Sequence, residues 1–189
     1  MTKKELRALY LQKRLSLSES ELADLNQKIC NSFFKHIDLS NVKTLHTFLS
    51  LAKKREPNTW LMIDELKKSF PSIRISIPKI NADGVMENYY FESLDQLKDG
   101  AFGILEPMNG QLTPSKDIDL VIVPLLVFDK QGHRVGYGKG HYDRFLKTCR
   151  PDCRKIGISL FTPEEKIGDT FEGDEPLNAV VTPEGKYKF

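Results

Sequence analysis

Between residues 120 and 145 the chain reads LVIVPLLVFDKQGHRVGYGKGHYDRF. Gly136, Gly138 and Gly140 alternate with Tyr137 and Lys139, and Arg134 stands just ahead of them. Glycines let a backbone take positive φ angles, approach a ligand closely and direct amide hydrogens at an anion. Arg134 and Lys139 add full positive charges, and a helix start behind the loop adds a partial one. The chemistry this assembles is polyphosphate binding. Asp143, in the first turn of the following helix, complements the helix dipole. Beside a phosphate cradle the same carboxylate could instead hold Mg²⁺ against the phosphates. The spacing is neither a Walker A loop, because Gly140 rather than Ser or Thr follows Lys139, nor G-x-G-x-x-G, because residue 141 is His. The residues alone also allow a hairpin whose glycines serve only its geometry.

A second cationic group lies at the N-terminus. Lys3 and Lys4 sit in the first turn of a helix, the end that disfavours cations. Lys3 and Arg7 share one face, and Arg14 lies two turns beyond. Such a face is either solvated or docks an anionic ligand. The net charge of +2 conceals a division. Residues 130–155 hold eight basic and two acidic side chains, whereas residues 161–189 hold three and seven.

The elements that must position these groups follow from periodicity and caps. Thr2-x-x-Glu5 and Ser18-x-x-Glu21 are capping boxes. The first opens a helix to about Leu15, and the second a helix with Leu22, Leu25, Ile29 and Phe33 on one face. Strands are expected at Val42–Leu49, at Ile73–Ile80 ending near Pro78, and at Met86–Phe91. Further strands are expected at Lys155–Leu160 and Asn178–Val181, and a helix at Asn58–Phe70. Leu120–Phe128 is a continuous apolar run, as in a strand buried on both faces. A helix carrying Tyr142, Phe145, Leu146 and Cys149 follows the glycine loop. Helices alternating with strands predict an α/β fold with a largely parallel sheet, whose ligands bind beyond the carboxyl ends of the strands.

With 189 residues, 40% hydrophobic and 29% charged, the chain has the composition of one globular domain, 1–189. Its longest apolar run is nine residues and contains Pro124, too short to span a bilayer. No apolar signal segment follows the basic start, and three cysteines are too few for a disulfide scaffold. A cytoplasmic protein without membrane association is expected. Cys149 and Cys153, with His133 and His141 nearby, fit no standard zinc spacing.

The run VPLLVFDKQGHRVGYGKGHYDRFL resembles the signature of the 5-formyltetrahydrofolate cyclo-ligases, also called 5,10-methenyltetrahydrofolate synthetases. The resemblance extends to KKELR near the start, FLS at Phe48–Ser50 with Glu56-Pro57-Asn58-Thr59, GILEP at Gly103–Pro107, and DEPLNAVVTPEG near the end. It implies a three-layer α/β/α sandwich with a largely parallel central sheet, like sugar-phosphate isomerases and CoA transferases. It implies ATP- and Mg²⁺-dependent conversion of 5-formyltetrahydrofolate, possibly polyglutamylated, to 5,10-methenyltetrahydrofolate, with release of ADP and phosphate, by a monomer.

By that resemblance Lys3, Lys4 and Arg7 contact ATP, and Arg7 also reaches folate. Arg134, Gly136, Tyr137, Gly138, Lys139, Gly140 and Tyr142 form the ATP loop, with Arg134 and Lys139 acting on the transferred phosphoryl group. Leu49, Leu51 and Glu56 line the folate pocket together with Tyr137 and Tyr142, and Asp143 and Asp174 hold the metal. The sequence departs from the family pattern in three places. His141 stands where a second tyrosine is usual, Asn178 where many members have Asp, and two extra residues lie between Leu51 and Glu56.

The implied chemistry needs no nucleophilic Ser or Cys. Oxide cannot leave a formyl carbon attacked by N10, whereas a phosphorylated oxygen can, so the protein's task is alignment and charge neutralisation. Carboxylates at Asp143 and Asp174 suit a Mg-ATP enzyme and would repel nucleic acid. A kinase or sugar-phosphate isomerase reusing the loop, or a non-catalytic nucleotide- or RNA-binding module, are the competing readings.

Overall fold

The computed structural model describes residues 1–100, 103 and 105–189; Ile104 of the GILEP run lies outside the described residues. Helix α1 spans Lys3–Leu15 and α2 Glu19–His36, each opened by its capping box. In each box the hydroxyl of Thr2 or Ser18 accepts from the glutamate amide, and the glutamate accepts from the cap's own amide. Each cap stabilises its helix by about 1 kcal/mol. Helix α3, Thr59–Ser69, begins at Asn58, whose side chain accepts from the Trp60 amide at 3.0 Å. Helix α4 is His141–Leu146.

The strands are β1 Thr44–Thr47, β2 Arg74–Ile80, β3 Met86–Tyr90, β4 Leu97–Asp99, β5 Leu105–Pro107, β6 Leu120–Val123, β7 Val127–Phe128, β8 Arg134–Val135, β9 Arg154–Ile158, β10 Ala179–Thr182 and β11 Gly185–Lys188. Seven of them form one sheet in the order β11-β10-β9-β6-β1-β2-β3. The inner pairs are parallel, and antiparallel β3 and β11 close the two edges. The small ribbons β4–β5 and β7–β8 stand apart from it.

Alternation along the strands sorts the core into two faces. Leu120 and Ile122 of β6 pack with Ile29 and Phe33 of α2 and Met62, Ile63 and Leu66 of α3. Val121 and Val123 point the other way, toward Phe145 and Leu146 of α4. A third cluster docks α1, through Leu6 and Tyr10, onto Leu126, Val127 and Val135. Helices thus cover both sheet faces, as the α/β/α expectation requires. Among the described residues, no helix is long and apolar enough to cross a membrane.

Three expectations are corrected. Strand β2 does not end near Pro78 but continues to Ile80, pairing with β3 throughout. The Asn88 carbonyl and Tyr90 amide of β3 face outward to Thr113 and Gln111, so Pro78, opposite Asn88, needs no amide on that side. On its other side the pairing with β1 has already ended at His46–Ser76. The run Leu120–Phe128 is two strands, because Pro124 turns the chain out of the sheet and β7 pairs with β8. Helix α4 stops at Leu146, before Cys149: the amides of Thr148 and Cys149 bond three residues back, and Pro151 follows.

Strand β1 has β2 on one side and β6 on the other, so the chain order reverses between β1 and β6. At such a switch point the connections leave in opposite directions and open a crevice at the strands' carboxyl ends.

Candidate active site

The glycine loop leaves hairpin β7–β8, whose turn is built on Asp129. That carboxylate, fully buried, accepts from the amides of Gln131, His133 and Ile167, each at 3.0 Å. Gly138 has φ +86°, which favours glycine, and a Cβ there would lie 3.1 Å from the Arg7 guanidinium, which would have to shift. A Cβ on Gly136 would meet no protein atom within 4 Å, so room is left beside the loop. Gly140, φ +67°, turns the chain into α4. Because α4 has only six residues, the dipole contribution expected from it is small, and attraction for an anion rests on side chains and loop amides.

Helix α1 lays its cationic face against this loop. Arg7 donates from Nε to the Gly136 carbonyl at 2.8 Å. Lys3 forms an ion pair with Asp174 and lies 4.8 Å over the Phe171 ring. Lys4 is exposed and points to no partner among the described residues, and the Lys139 side chain is likewise exposed. Arg134, whose side chain is only 6% exposed, donates to Asp143 at 2.7 Å and to the Glu175 carbonyl. The Glu175 amide donates to the same Asp143 oxygen at 3.2 Å, which brings the Asp174 segment beside Asp143. Asp143 thus accepts from the residue that follows Asp174 in the chain, and each of these two carboxylates implied for metal is paired with a cation implied for phosphate.

The crevice's other wall is the loop after β1. Leu49 is buried in the core, and Leu51 is half-buried. The intervening 3₁₀ turn, Ala52–Lys54, ends at Arg55, whose φ of 47° is left-handed. Glu56 closes the loop: its Oε2 accepts from the Leu51 amide at 2.8 Å. Its Oε1 accepts from the Tyr137 hydroxyl at 2.7 Å, joining this loop to the glycine loop. Arg14 lies beneath, 1% exposed, donating to the Tyr137 oxygen at 3.2 Å and to the Leu125 carbonyl after β6. Burial pushes the Tyr137 phenol upward, and the nearby Glu56 charge adds to this.

Sequence reasoning placed Arg14 on a basic face without a partner and did not single out His46. His46 is fully buried on β1, with Nε2 3.3 Å from the Tyr142 hydroxyl and Nδ1 3.5 Å from Ser76 Oγ. Burial pushes its pKa down to about 3, so the ring is neutral. Burial also raises the Tyr142 phenol, keeping it a proton donor. Nothing local marks a histidine as the partner of a tyrosine 96 residues away. His141, in the place of the usual tyrosine, turns to the β2–β3 hairpin, its Nδ1 3.1 Å from the Gly84 carbonyl. Asn178 keeps a structural task, accepting from the Lys155 amide at 2.7 Å.

Among the described residues no three His, Cys, Asp or Glu side chains converge as a protein-only metal site. The carboxylates of Asp143 and Asp174 suit Mg²⁺, which is commonly held by one or two carboxylates together with phosphates and water. Open space at Gly136 and the cations around it suit the phosphates.

Comparison with known proteins shows the family. A protein named "Probable 5-formyltetrahydrofolate cyclo-ligase" from Schizosaccharomyces pombe is 31% identical over 202 aligned residues, 97% of this chain and 96% of its own. The solved 5,10-methenyltetrahydrofolate synthetase of Aquifex aeolicus superposes with a TM-score of 0.80 at 29% identity, covering 100% of this chain and 93% of that one. The synthetase of Mycoplasma pneumoniae gives 0.76 at 26% identity, with 97% and 99% covered. The model of the 5-formyltetrahydrofolate cyclo-ligase family matches residues 1–183, and this chain belongs to that family.

Proposed function

We propose that the protein converts 5-formyltetrahydrofolate to 5,10-methenyltetrahydrofolate, consuming ATP with Mg²⁺ and releasing ADP and phosphate. One observation carries this reading: hydrogen bonds and ion pairs join the α1 cations, the glycine loop, Asp143, Asp174 and Glu56 into one group beside the sheet's switch point. In this reading Lys3, Lys4 and Arg7 hold the polyphosphate from one side. Arg134, Lys139 and the amides of Gly136, Gly138 and Gly140 hold it from the other. Asp143 and Asp174 hold Mg²⁺, which supplies charge neutralisation on the phosphates. Glu56 accepts N–H donors of the pterin ring, Leu49 and Leu51 form the apolar wall, and Tyr137 and Tyr142 flank the substrate.

The reaction places a phosphoryl group on the formyl oxygen and closes the ring by attack of N10 on the formyl carbon, with phosphate as the leaving group. Arg134 and Lys139 neutralise charge on the transferring group, and the crevice fixes its line of approach. Polyglutamylated substrates, a monomeric enzyme and a cytoplasmic setting belong to the same reading, and the three free thiols suit a reducing compartment. The test mixes protein, Mg-ATP and 5-formyltetrahydrofolate and follows methenyl-folate absorbance together with ADP. Equal accumulation of both is expected; neither product forming refutes the reading.

A further inference from the structure

Arg14 has no role in the reaction described above, yet it is the only arginine among the most deeply buried side chains of the described residues. A buried guanidinium is costly unless its donors are used and its charge is balanced. Here one terminal nitrogen is bound by the Leu125 carbonyl and the other by the Tyr137 oxygen, while among the described residues no group accepts from Nε and no carboxylate touches Arg14 directly. The acid that compensates it is Glu56, one hydroxyl away.

The chemistry of these three groups gives the chain a direction. Guanidinium donates and cannot accept. The Glu56 carboxylate can only accept, so its hydrogen bond with Tyr137 runs from the hydroxyl to Glu56, and Arg14, donating to the same phenol oxygen, holds that oxygen in place. With the Leu51 amide on the other oxygen, both oxygens of Glu56 are acceptors in fixed orientation. Each retains a second lone-pair site for a ligand N–H. Arg14 also ties three parts of the crevice together: α1, the segment after β6 through Leu125, and the glycine loop through Tyr137.

We infer that Arg14 is a positioning residue for the substrate: by orienting the Tyr137 hydroxyl toward Glu56, it holds the Glu56 carboxylate as acceptor for the N–H donors of the pterin ring. This rests on the reading of Glu56 given under Proposed function. The role is exerted through Tyr137, so Arg14 itself touches neither substrate nor phosphate. An aliphatic residue at position 14 would leave the Tyr137 hydroxyl free to rotate and Glu56 without its compensating charge.

The test compares Arg14→Met, Arg14→Lys, Tyr137→Phe, Glu56→Gln and the double variant Arg14→Met/Tyr137→Phe in the full chain. Calorimetry with 5-formyltetrahydrofolate alone and steady-state kinetics with Mg-ATP give the readouts. Arg14→Met and Tyr137→Phe are each expected to raise the folate Kd and KM about tenfold or more, with kcat changed far less. The double variant should lose no more than the larger single loss, because both remove one chain of hydrogen bonds. Arg14→Lys, still a donor without acceptor capacity, should recover part of the affinity. A merely structural arginine predicts additive losses and no selective change in folate KM, and that result overturns the proposal. If Arg14→Met does not fold, Tyr137→Phe decides alone, and unchanged folate affinity in it is equally fatal. Glu56→Gln separates the two claims. Folate affinity unaltered in Glu56→Gln removes the assigned role of Glu56 and the proposal with it. Affinity lost there but kept in Arg14→Met removes only the positioning role.

Discussion

Arg134 donates to Asp143 at 2.7 Å, so the cation assigned to phosphate and the carboxylate assigned to metal are each other's counter-ion. Lys3 and Asp174 repeat the relationship on the neighbouring segment. Bound nucleotide and metal would have to exchange these pairs, each cation passing to a phosphate and each carboxylate to Mg²⁺. Either ligand alone strands one member of each pair.

Nucleotide and metal should therefore bind together. ATP titrated in the presence of a chelator is expected to bind at least about tenfold more weakly than Mg-ATP, and Mg²⁺ alone to give no measurable heat. Equal affinity for ATP with and without Mg²⁺ would show that the carboxylates do not hold the metal.

Lys139 and Asp143 should separate activity from stability. Lys139→Ala removes an exposed side chain, so the melting temperature should hold within about 1 °C, while kcat falls by about 10²-fold or more. Asp143→Ala leaves the mostly buried Arg134 with one partner fewer and should cost about 1–3 kcal/mol of stability. Asp143→Asn keeps an acceptor and should lose turnover with a smaller drop in melting temperature. Differential scanning calorimetry beside the absorbance assay distinguishes these outcomes.

Gly138→Ala tests the close approach of α1 to the loop. At φ +86° alanine is strained by about 1–2 kcal/mol, and its Cβ would lie 3.1 Å from the Arg7 guanidinium. The KM for ATP should rise several-fold. Gly136→Ala has no protein atom to strike and a φ outside the left-handed region, so its effect should appear only when nucleotide is bound.

His46 gives the fold a pH dependence of known sign. Its folded pKa is about 3, below the ordinary value of 6.5, so the unfolded chain takes up the proton first. Its contribution is fully present above about pH 6.5 and declines as pH falls toward 3. Between pH 7.5 and 5 the loss is about 2 kcal/mol. No charged group among the described residues contacts the ring; Ser76, Tyr142 and Phe145 surround it. His46→Gln, which cannot titrate, should show a smaller drop in melting temperature between those two pH values.

How much of this was readable beforehand depended on sequence distance. The capping boxes are complete within four residues, and both helices begin where Thr2 and Ser18 place them. The apolar run of β6 and the apolar face of α2 were legible because each reports its own burial. Pro78 misled because the need for its amide depends on where pairing with β1 ends, a fact belonging to another strand. The two-residue strands β7 and β8 are too short for any periodicity. In the site, the glycine loop was visible as a motif, and Glu56 was reachable only through the family resemblance. The partners of Arg14 and Glu56 lie 111, 123 and 81 residues away, beyond any local pattern.

The cationic face of α1 has a consequence for how the molecule is made. Its contacts reach Leu125, Gly136 and Asp174, the last 171 residues along the chain. The helix can form early from its own capping box, but closing such long loops is slow and must await the strands that carry the partners. During synthesis α1 emerges before its partners, and its apolar Leu6 and Tyr10 lack their packing surface until the β7–β8 hairpin exists. Asp174 arrives later still. The site is therefore among the last parts of the fold to assemble, complete only once the Asp174 segment has joined α1.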